Sequence, residues 1–174
     1  GVVNPTGITA TGAISISTVS GDLTISEDIS SSSTSSSAIV LNASSGTSVG
    51  ASSGGNIIIS TKSGGGTPGF TTGTGGRATL YTGSISGSTG LTSLIGSGSG
   101  RFRYYSDEST TNYSTALSSG SYAIYRERPS ASVTTSDQSI TYGDALPTLT
   151  GTTSGLVNGD STSYSLSGVT SANY

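Results

Sequence analysis

One spacing constrains this 174-residue chain more than any other feature. Ile58, Leu80, Phe102 and Ile124 follow one another at intervals of 22 residues (58 to 80, 80 to 102, 102 to 124), each inside a short apolar run. A fixed period of roughly 20–50 residues is the signature of a solenoid or an array. The runs are strand-sized and rich in β formers: Ala13–Ile16, Leu23–Ser26, Ala38–Leu41, Asn56–Ser60, Ala78–Tyr81, Arg101–Tyr104 and Tyr122–Tyr125. Gly/Ser/Thr clusters between them read as turns. No stretch longer than two turns keeps a helical period, so no helix is expected. The spacing predicts the coils of a parallel β-helix, stacked at about 4.8 Å. Upstream the period loosens, with 24 residues from Ile16 to Val40 and 18 from Val40 to Ile58. The Ser30–Ser37 run inside that interval is expected to be a mobile bulging loop rather than a core strand.

Composition decides between order and disorder. Hydrophobic residues make up 30 % and charged residues 9 %. Low hydrophobicity alone points to disorder, but disordered chains also carry high charge, and this one does not. Polar ladders of Ser, Thr and Asn hold such a chain together in cross-β fashion. Net charge is −3, with no basic stripe, so nucleic acid is not an expected partner. No apolar run reaches the ~20 residues of a membrane-spanning helix. Cysteine and histidine are absent, which removes zinc, haem, thiol and Ser-His-Asp sites and leaves no cofactor to expect. A secreted eukaryotic domain of this size usually has disulfides, so a bacterial extracellular protein fits better. The Gly-Val-Val start, with neither Met nor signal peptide, reads as a piece of a longer precursor.

The stretch from Arg101 to Pro129 stands apart. It holds four of the six basic residues (Arg101, Arg103, Arg126, Arg128) and six aromatics (Phe102, Tyr104, Tyr105, Tyr113, Tyr122, Tyr125). A solenoid end exposes a strand edge that needs covering, and the 101–128 segment is expected to be the last coil and its cap. The period stacks Phe102 on Ile124 and Arg103 near Tyr125. The arginines are expected over tyrosine rings and paired with Asp107, Glu108 or Glu127. Arg103, Tyr104, Tyr105, Tyr125 and Arg126 are the exposed aromatic and basic positions, hence the candidate partner-binding residues. Arg101, Arg103, Asp107, Glu108, Arg126 and Glu127 contain groups that a glycosidase or lyase uses. A solvated cap with surface ion pairs explains the same residues without catalysis. No catalytic or metal residue is assigned. The Gly21-Asp22, Gly143-Asp144 and Gly159-Asp160 turns lack calcium-loop spacing and are explained by turn chemistry.

After Pro129 the pattern changes to short strands at close spacing: Ala131–Thr135, Ser139–Tyr142, Leu146–Thr150, Ser154–Val157 and Tyr164–Leu166. The segment Tyr142-Gly-Asp-Ala-Leu-Pro-Thr-Leu-Thr-Gly151, followed by Ser154-Gly-Leu-Val-Asn-Gly-Asp160, resembles the MBG domain, a mostly-β, glycine-rich module of bacterial surface and secreted proteins. With the preceding stretch, roughly Gly96 to Tyr174 is similar to filamentous-haemagglutinin-like proteins. The resemblance implies a secreted, surface-displayed, elongated adhesin or matrix protein. Such modules usually continue past the Asn-Tyr position at which this chain stops, so a neighbouring copy is a candidate donor of a completing strand.

The expected architecture is therefore all-β: a parallel β-helix segment over residues 1–128, then a small, incomplete β-sandwich-like module over 129–174. The expected role is structural or adhesive, without enzymatic activity, at the bacterial outer surface. Expected partners are copies of itself through strand addition, and host or matrix glycans or surface proteins. The alternatives are a self-assembling filament subunit and a polysaccharide-binding or polysaccharide-cleaving β-helix.

Overall fold

The computed structural model describes residues 7–50, 54–141 and 143–168. It is almost entirely β, and three of its four sheets are parallel. The chain visits those three in rotation. The strands β1 (Ile8–Ala10), β2 (Ile14–Ser17) and β3 (Leu23–Ile25) are followed by β4 (Ile29–Ser31) on β1, β5 (Ile39–Asn42) on β2 and β6 (Ile57–Ile59) on β3. Next, β7 (Phe70–Thr71) joins β4, and β8 (Arg77–Thr82) joins β5. At the third position of this round the chain forms one helical turn, α1 (Leu91–Ile95), which lies against β6. The expectation of no helix is thus corrected. Leu91 is buried, and α1 packs its apolar residues against the core where a further strand would otherwise run.

All seven apolar runs read from the sequence are strands, but their order of stacking differs from the 22-residue reading. Ile58 lies on β6, opposite Thr24, in a different sheet from Leu80. In the central sheet Ile14 pairs with Ile39, Ile39 with Ala78 and Leu80 with Ala123, strides of 25 (14 to 39), 39 (39 to 78) and 43 (80 to 123) residues. What is regular is the inward column, Ile16–Leu41–Leu80–Ala123–Phe102, in which each residue pairs with the next. The loops between strands vary in length, because loop closure grows only slowly more costly with length.

The strand order at the end of this sheet is β8, then β10 (Gly120–Tyr125), then β9 (Phe102–Arg103). The chain lays down the edge first and then returns to fill the gap. Phe102 sits opposite Ala123, and Arg103 opposite Ile124, one residue away from the expected stacking of Phe102 on Ile124. A shift of one residue exchanges the two faces of a strand. Tyr125 therefore points inward, with Phe102 and Tyr125 ring centroids 6.4 Å apart. Tyr122 and Ile124 lie on the outer face, beneath the 104–119 loop, whose Ser118 and Leu117 hydrogen-bond Tyr122 and Arg77. A two-residue edge strand offers little for another chain to pair with.

One whole sheet was not legible as strands: β1, β4 and β7, the segments Ile-Thr-Ala, Ile-Ser-Ser and Phe-Thr. The Ser30–Ser37 run, expected as a bulging loop, begins inside this sheet. Ser30 and Ser31 belong to β4, and Ser31 is buried, donating its hydroxyl to Gly12 O at 2.7 Å. Beyond it the amides of Ser33, Ser35 and Ser37 each donate to the hydroxyl two residues back. The serines form a ladder that supplies the loop with its own hydrogen bonds.

At the start of the winding the described residues leave the interior open. Ile8 is 45 % exposed, and Ile16, Leu23 and Ile25 line a cavity of about 280 Å³. Past Arg126 no described residue is buried. There β11 (Ser132–Thr135) and β12 (Gly151–Ser154) form a two-stranded antiparallel sheet. The strands expected at 146–150 and 164–166 are not formed, nor is the described part of 139–142, and of the strand expected at 154–157 only Ser154 lies in β12; Tyr142 and residues 169–174, including Asn173-Tyr174, lie outside the described residues. Among the described residues the sandwich expected for this segment is represented by this two-stranded sheet alone, with Val133, Leu146, Leu149, Leu156 and Tyr164 exposed.

Candidate functional site

The aromatic and basic residues gather where the winding ends, but they divide into an outer and an inner set. On the outer face the Tyr122 ring lies between two guanidinium groups, Arg101 at 5.1 Å and Arg103 at 5.5 Å. Arg103 is also 5.5 Å from the Tyr113 ring. Both arginines are anchored through backbone carbonyls: Arg101 donates to Ser119 O at 2.7 Å, and Arg103 donates to Gly100 O at 2.7 Å and Phe102 O at 2.8 Å. Burial pushes the Tyr122 phenol up, but the Ser118 hydroxyl and amide, with Arg101 and Arg103, outweigh it and hold its pKa below the usual value. Tyr105, 38 % exposed, adopts φ 51° and lies under Arg128, 5.6 Å from its guanidinium.

The inner set corrects the sequence reading. Tyr125 and Arg126, expected to be exposed, are both fully buried. For Tyr125 the cause is the one-residue register shift. Its phenol is raised to about 12 by burial. Tyr104 stacks on it at 5.6 Å and is half-buried; burial, then the neighbouring Asp160 carboxylate, push its pKa up as well. Arg126 turns into a corner of the winding instead of outward. It donates to Ala43 O at 2.8 Å and Asn42 Oδ1 at 2.6 Å, and lies 3.4 Å from Glu108 Oε2. Of the three carboxylates expected to pair with arginine, only Glu108 does so among the described residues. Its other oxygen accepts from the Gly46 amide at 2.5 Å, while Asp107 accepts from the amides of Val49, Ser109 and Thr110. Glu127 accepts from the Ile85 amide at 2.5 Å.

Glu108, Asp107 and Glu127 accept from the backbone amides of Gly46, Val49 and Ile85, a geometry that fixes loops from distant parts of the chain. Burial pushes Asp107 and Glu108 up, but the amides they accept from dominate, and both pKa values end below the ordinary carboxylate range. A depressed folded-state pKa contributes stability that is present above the unfolded value, roughly pH 4, and is lost as pH falls through the folded value. The urea midpoint is therefore expected to be level from pH 7 to about 5 and to drop below pH 4. Asp107→Asn, measured by the same titration, should lower the plateau and flatten the acid limb. An acid limb as steep as in the parent chain would show that Asp107 does not carry this linkage.

A third group joins this end of the winding to the chain beyond Pro129. The turn Asn158-Gly159-Asp160 lies against α1, the 97–98 segment and Tyr104. In the sequence this turn reads as simple turn chemistry. Its role was hidden because the receiving residues, Thr92, Gly98 and Tyr104, are scattered over 13 positions and carry no motif of their own.

Residues 131–174 match the MBG domain (YGX type), a domain found in bacterial surface proteins. No curated protein and no solved structure matches the chain. Among the described residues no helix is long and apolar enough to cross a membrane.

Proposed function

We propose that this chain is an extracellular structural protein of a bacterial surface adhesin, similar to filamentous-haemagglutinin-like proteins. Residues 1–128 serve as a rigid solenoid stalk, and residues 129–174 as an MBG-type module at its end. The observation that carries this reading is the match of 131–174 to a domain typical of bacterial surface proteins, directly after a parallel winding. Continuous backbone ladders between coils give a rod its stiffness, and no catalytic residue is required. Asp107, Glu108 and Arg126 of the last coil are engaged in holding loops, which supports a role without enzymatic chemistry. With Tyr125 and Arg126 inside and Tyr104 covered by Asp160, the contact residues for a glycan or surface protein are Tyr105 and Arg103, together with Arg128. Exposed rings flanked by arginine suit the apolar faces and hydroxyl groups of sugars.

The test is binding of the purified chain to glycan arrays and to matrix-coated surfaces, alongside Tyr105→Ser. Saturable binding, weakened about tenfold or more by Tyr105→Ser, supports the adhesive reading. Absence of binding to every surface sinks it, and new reducing ends from a polysaccharide would replace it with an enzymatic one.

A second reading is favoured by one observation: no described residue after Arg126 is buried. A segment that exposes Val133, Leu146, Leu149 and Leu156 is unfinished as an isolated unit. In this reading a strand from a neighbouring copy completes it and builds a filament. Electron microscopy distinguishes the two. Filaments that vanish when the chain is cut after Pro129, while the coils stay folded, support strand addition; filaments that persist exclude it.

A further inference from the structure

The contact between the Asn158-Gly159-Asp160 turn and the end of the winding reads every position of that turn. Asp160 N donates to Val157 O at 2.9 Å, and Asn158 and Gly159 have φ of 52° and 73°. Positive φ at both central positions suits Asn-Gly better than most other pairs. The Asn158 side chain is used at both ends. Its Oδ1 accepts from Thr92 Oγ1 at 2.7 Å, and its Nδ2 donates to Tyr104 Oη at 3.1 Å. Tyr104 Oη in turn donates to Asp160 Oδ2 at 2.5 Å. The Asn158 carbonyl accepts from Gly98 N at 2.9 Å. Gly159 is read by what it lacks, because a Cβ there would stand 2.0 Å from Ser97 Oγ and 2.8 Å from Gly98 N. Gly98 is itself matched, since its own Cβ would approach Gly159 O to 3.0 Å.

Among the described residues, the hydrogen bonds between the chain beyond Ala131 and the winding all pass through Asn158 and Asp160. The connection between the two is short: Arg126 is buried in the winding, Arg128 is exposed, and β11 begins at Ser132. A unit whose described residues include none that is buried is thus held by one sequence-specific plug and a brief linker. Such an arrangement makes the same contacts whether the plug comes from its own chain or from another, which is the condition for exchange between protomers.

We propose that the end of the winding, formed by Thr92, Ser97, Gly98 and Tyr104, is a recognition site for an Asn-Gly-Asp turn, and that it accepts the turn of a second copy of this chain by exchange of the C-terminal segment. The proposal does not depend on the adhesive reading, and it requires no strand addition. In a single dilute chain the tethered turn has an effective concentration on the order of millimolar and keeps the site closed. Copies packed at comparable density exchange plugs and become linked end segment to winding.

Complementation tests this directly. One variant loses the site but keeps the turn (Thr92→Val with Tyr104→Phe). The other loses the turn but keeps the site (Asn158→Ala with Asp160→Ala). Neither closes on itself. Mixed at about 100 µM, the two are expected to form a one-to-one complex by light scattering. The Gly98 amide of the turn-deficient copy, isotopically labelled, should regain protection from hydrogen exchange on the order of tenfold. A mixture that stays monomeric with Gly98 exchange unchanged overturns the proposal. Protection at Leu80 and Ala123 reports that the winding is intact in each variant. Should a double variant lose that protection, the single variant Asn158→Ala is titrated with the peptide Gly-Leu-Val-Asn-Gly-Asp. Slowed Gly98 exchange with this peptide, and none with Gly-Leu-Val-Ala-Gly-Asp, supports the site. Equal or absent effects of the two peptides refute it.

Discussion

Arg126→Met is expected to destabilise the chain by about 3 kcal/mol, read from urea unfolding followed by far-ultraviolet circular dichroism. Arg126 is fully buried, yet its charge has a partner in Glu108 and its donors serve Asn42 Oδ1, at the end of β5, and Ala43 O, just beyond it. Removing the guanidinium leaves these two acceptors without their donor, and each unsatisfied buried acceptor costs about 1–3 kcal/mol. Among the described residues the Arg126 Nε is itself buried without a partner, so the parent side chain already carries a penalty, which keeps the net loss near the lower end of the range for a broken buried pair. Arg126→Lys keeps the charge but not the planar fork, and one ammonium does not take the place of two separated donors. It is expected to fall between the parent and Arg126→Met. Glu108→Gln leaves the buried Arg126 cation without its carboxylate, a loss moderated by the partial exposure of residue 108, and it is expected to cost less than Arg126→Met. A loss below about 1 kcal/mol for Arg126→Met would place the arginine among dispensable surface groups, contrary to its burial.

The same residue shows where sequence reasoning reached its limit. The strands of the winding were legible because β-branched and aromatic runs between glycine-rich turns carry a local signal, and every run so identified is a strand. What places a strand on its neighbour is not local. Ile58 and Leu80 share a spacing with Phe102 and Ile124, yet belong to different sheets. One residue of register decides whether Tyr125 faces the core or solvent. Arg126 then follows, since it leaves β10 at a corner where Asn42 and Ala43 offer acceptors that arrive from 84 and 83 positions away. The sheet of β1, β4 and β7 is not legible in the sequence for a different reason. Its strands have one large apolar residue apiece, and Ser31 occupies a buried position through hydrogen bonds that no hydropathy pattern reveals. Beyond Pro129 the resemblance to the MBG domain agreed with the family match at 131–174, although most of the expected strands did not form. Family motifs there are partly turn chemistry, and the Asn-Gly-Asp turn owes its environment to residues on the winding.

Gly55→Ala and Gly12→Ala are expected to change stability in opposite directions, although both glycines read as ordinary turn residues in the sequence. At Gly55 a Cβ would stand 1.8 Å from Gly21 O and 2.7 Å from Ser44 Oγ. The Gly55 amide donates to Ser44 Oγ at 2.6 Å, and its carbonyl accepts from Gly83 N at 3.0 Å. Three successive rounds of the chain therefore meet at one corner, with backbone against backbone. An added methyl group cannot be absorbed by a rotamer change, because the nearest obstacle is a carbonyl, so the rounds must separate; the expected loss is about 3 kcal/mol or more. Gly12 has no atom within 4 Å of the corresponding position and no positive φ. There alanine restricts the unfolded chain without disturbing the folded one, and a gain of about 0.4–1 kcal/mol is expected. The pair is measured by urea unfolding under identical conditions, with parent, Gly12→Ala and Gly55→Ala side by side. If the two variants shift the midpoint alike, the rounds are not in backbone contact at this corner. The rigidity assigned to a stalk built from them would then have to come from the sheets alone.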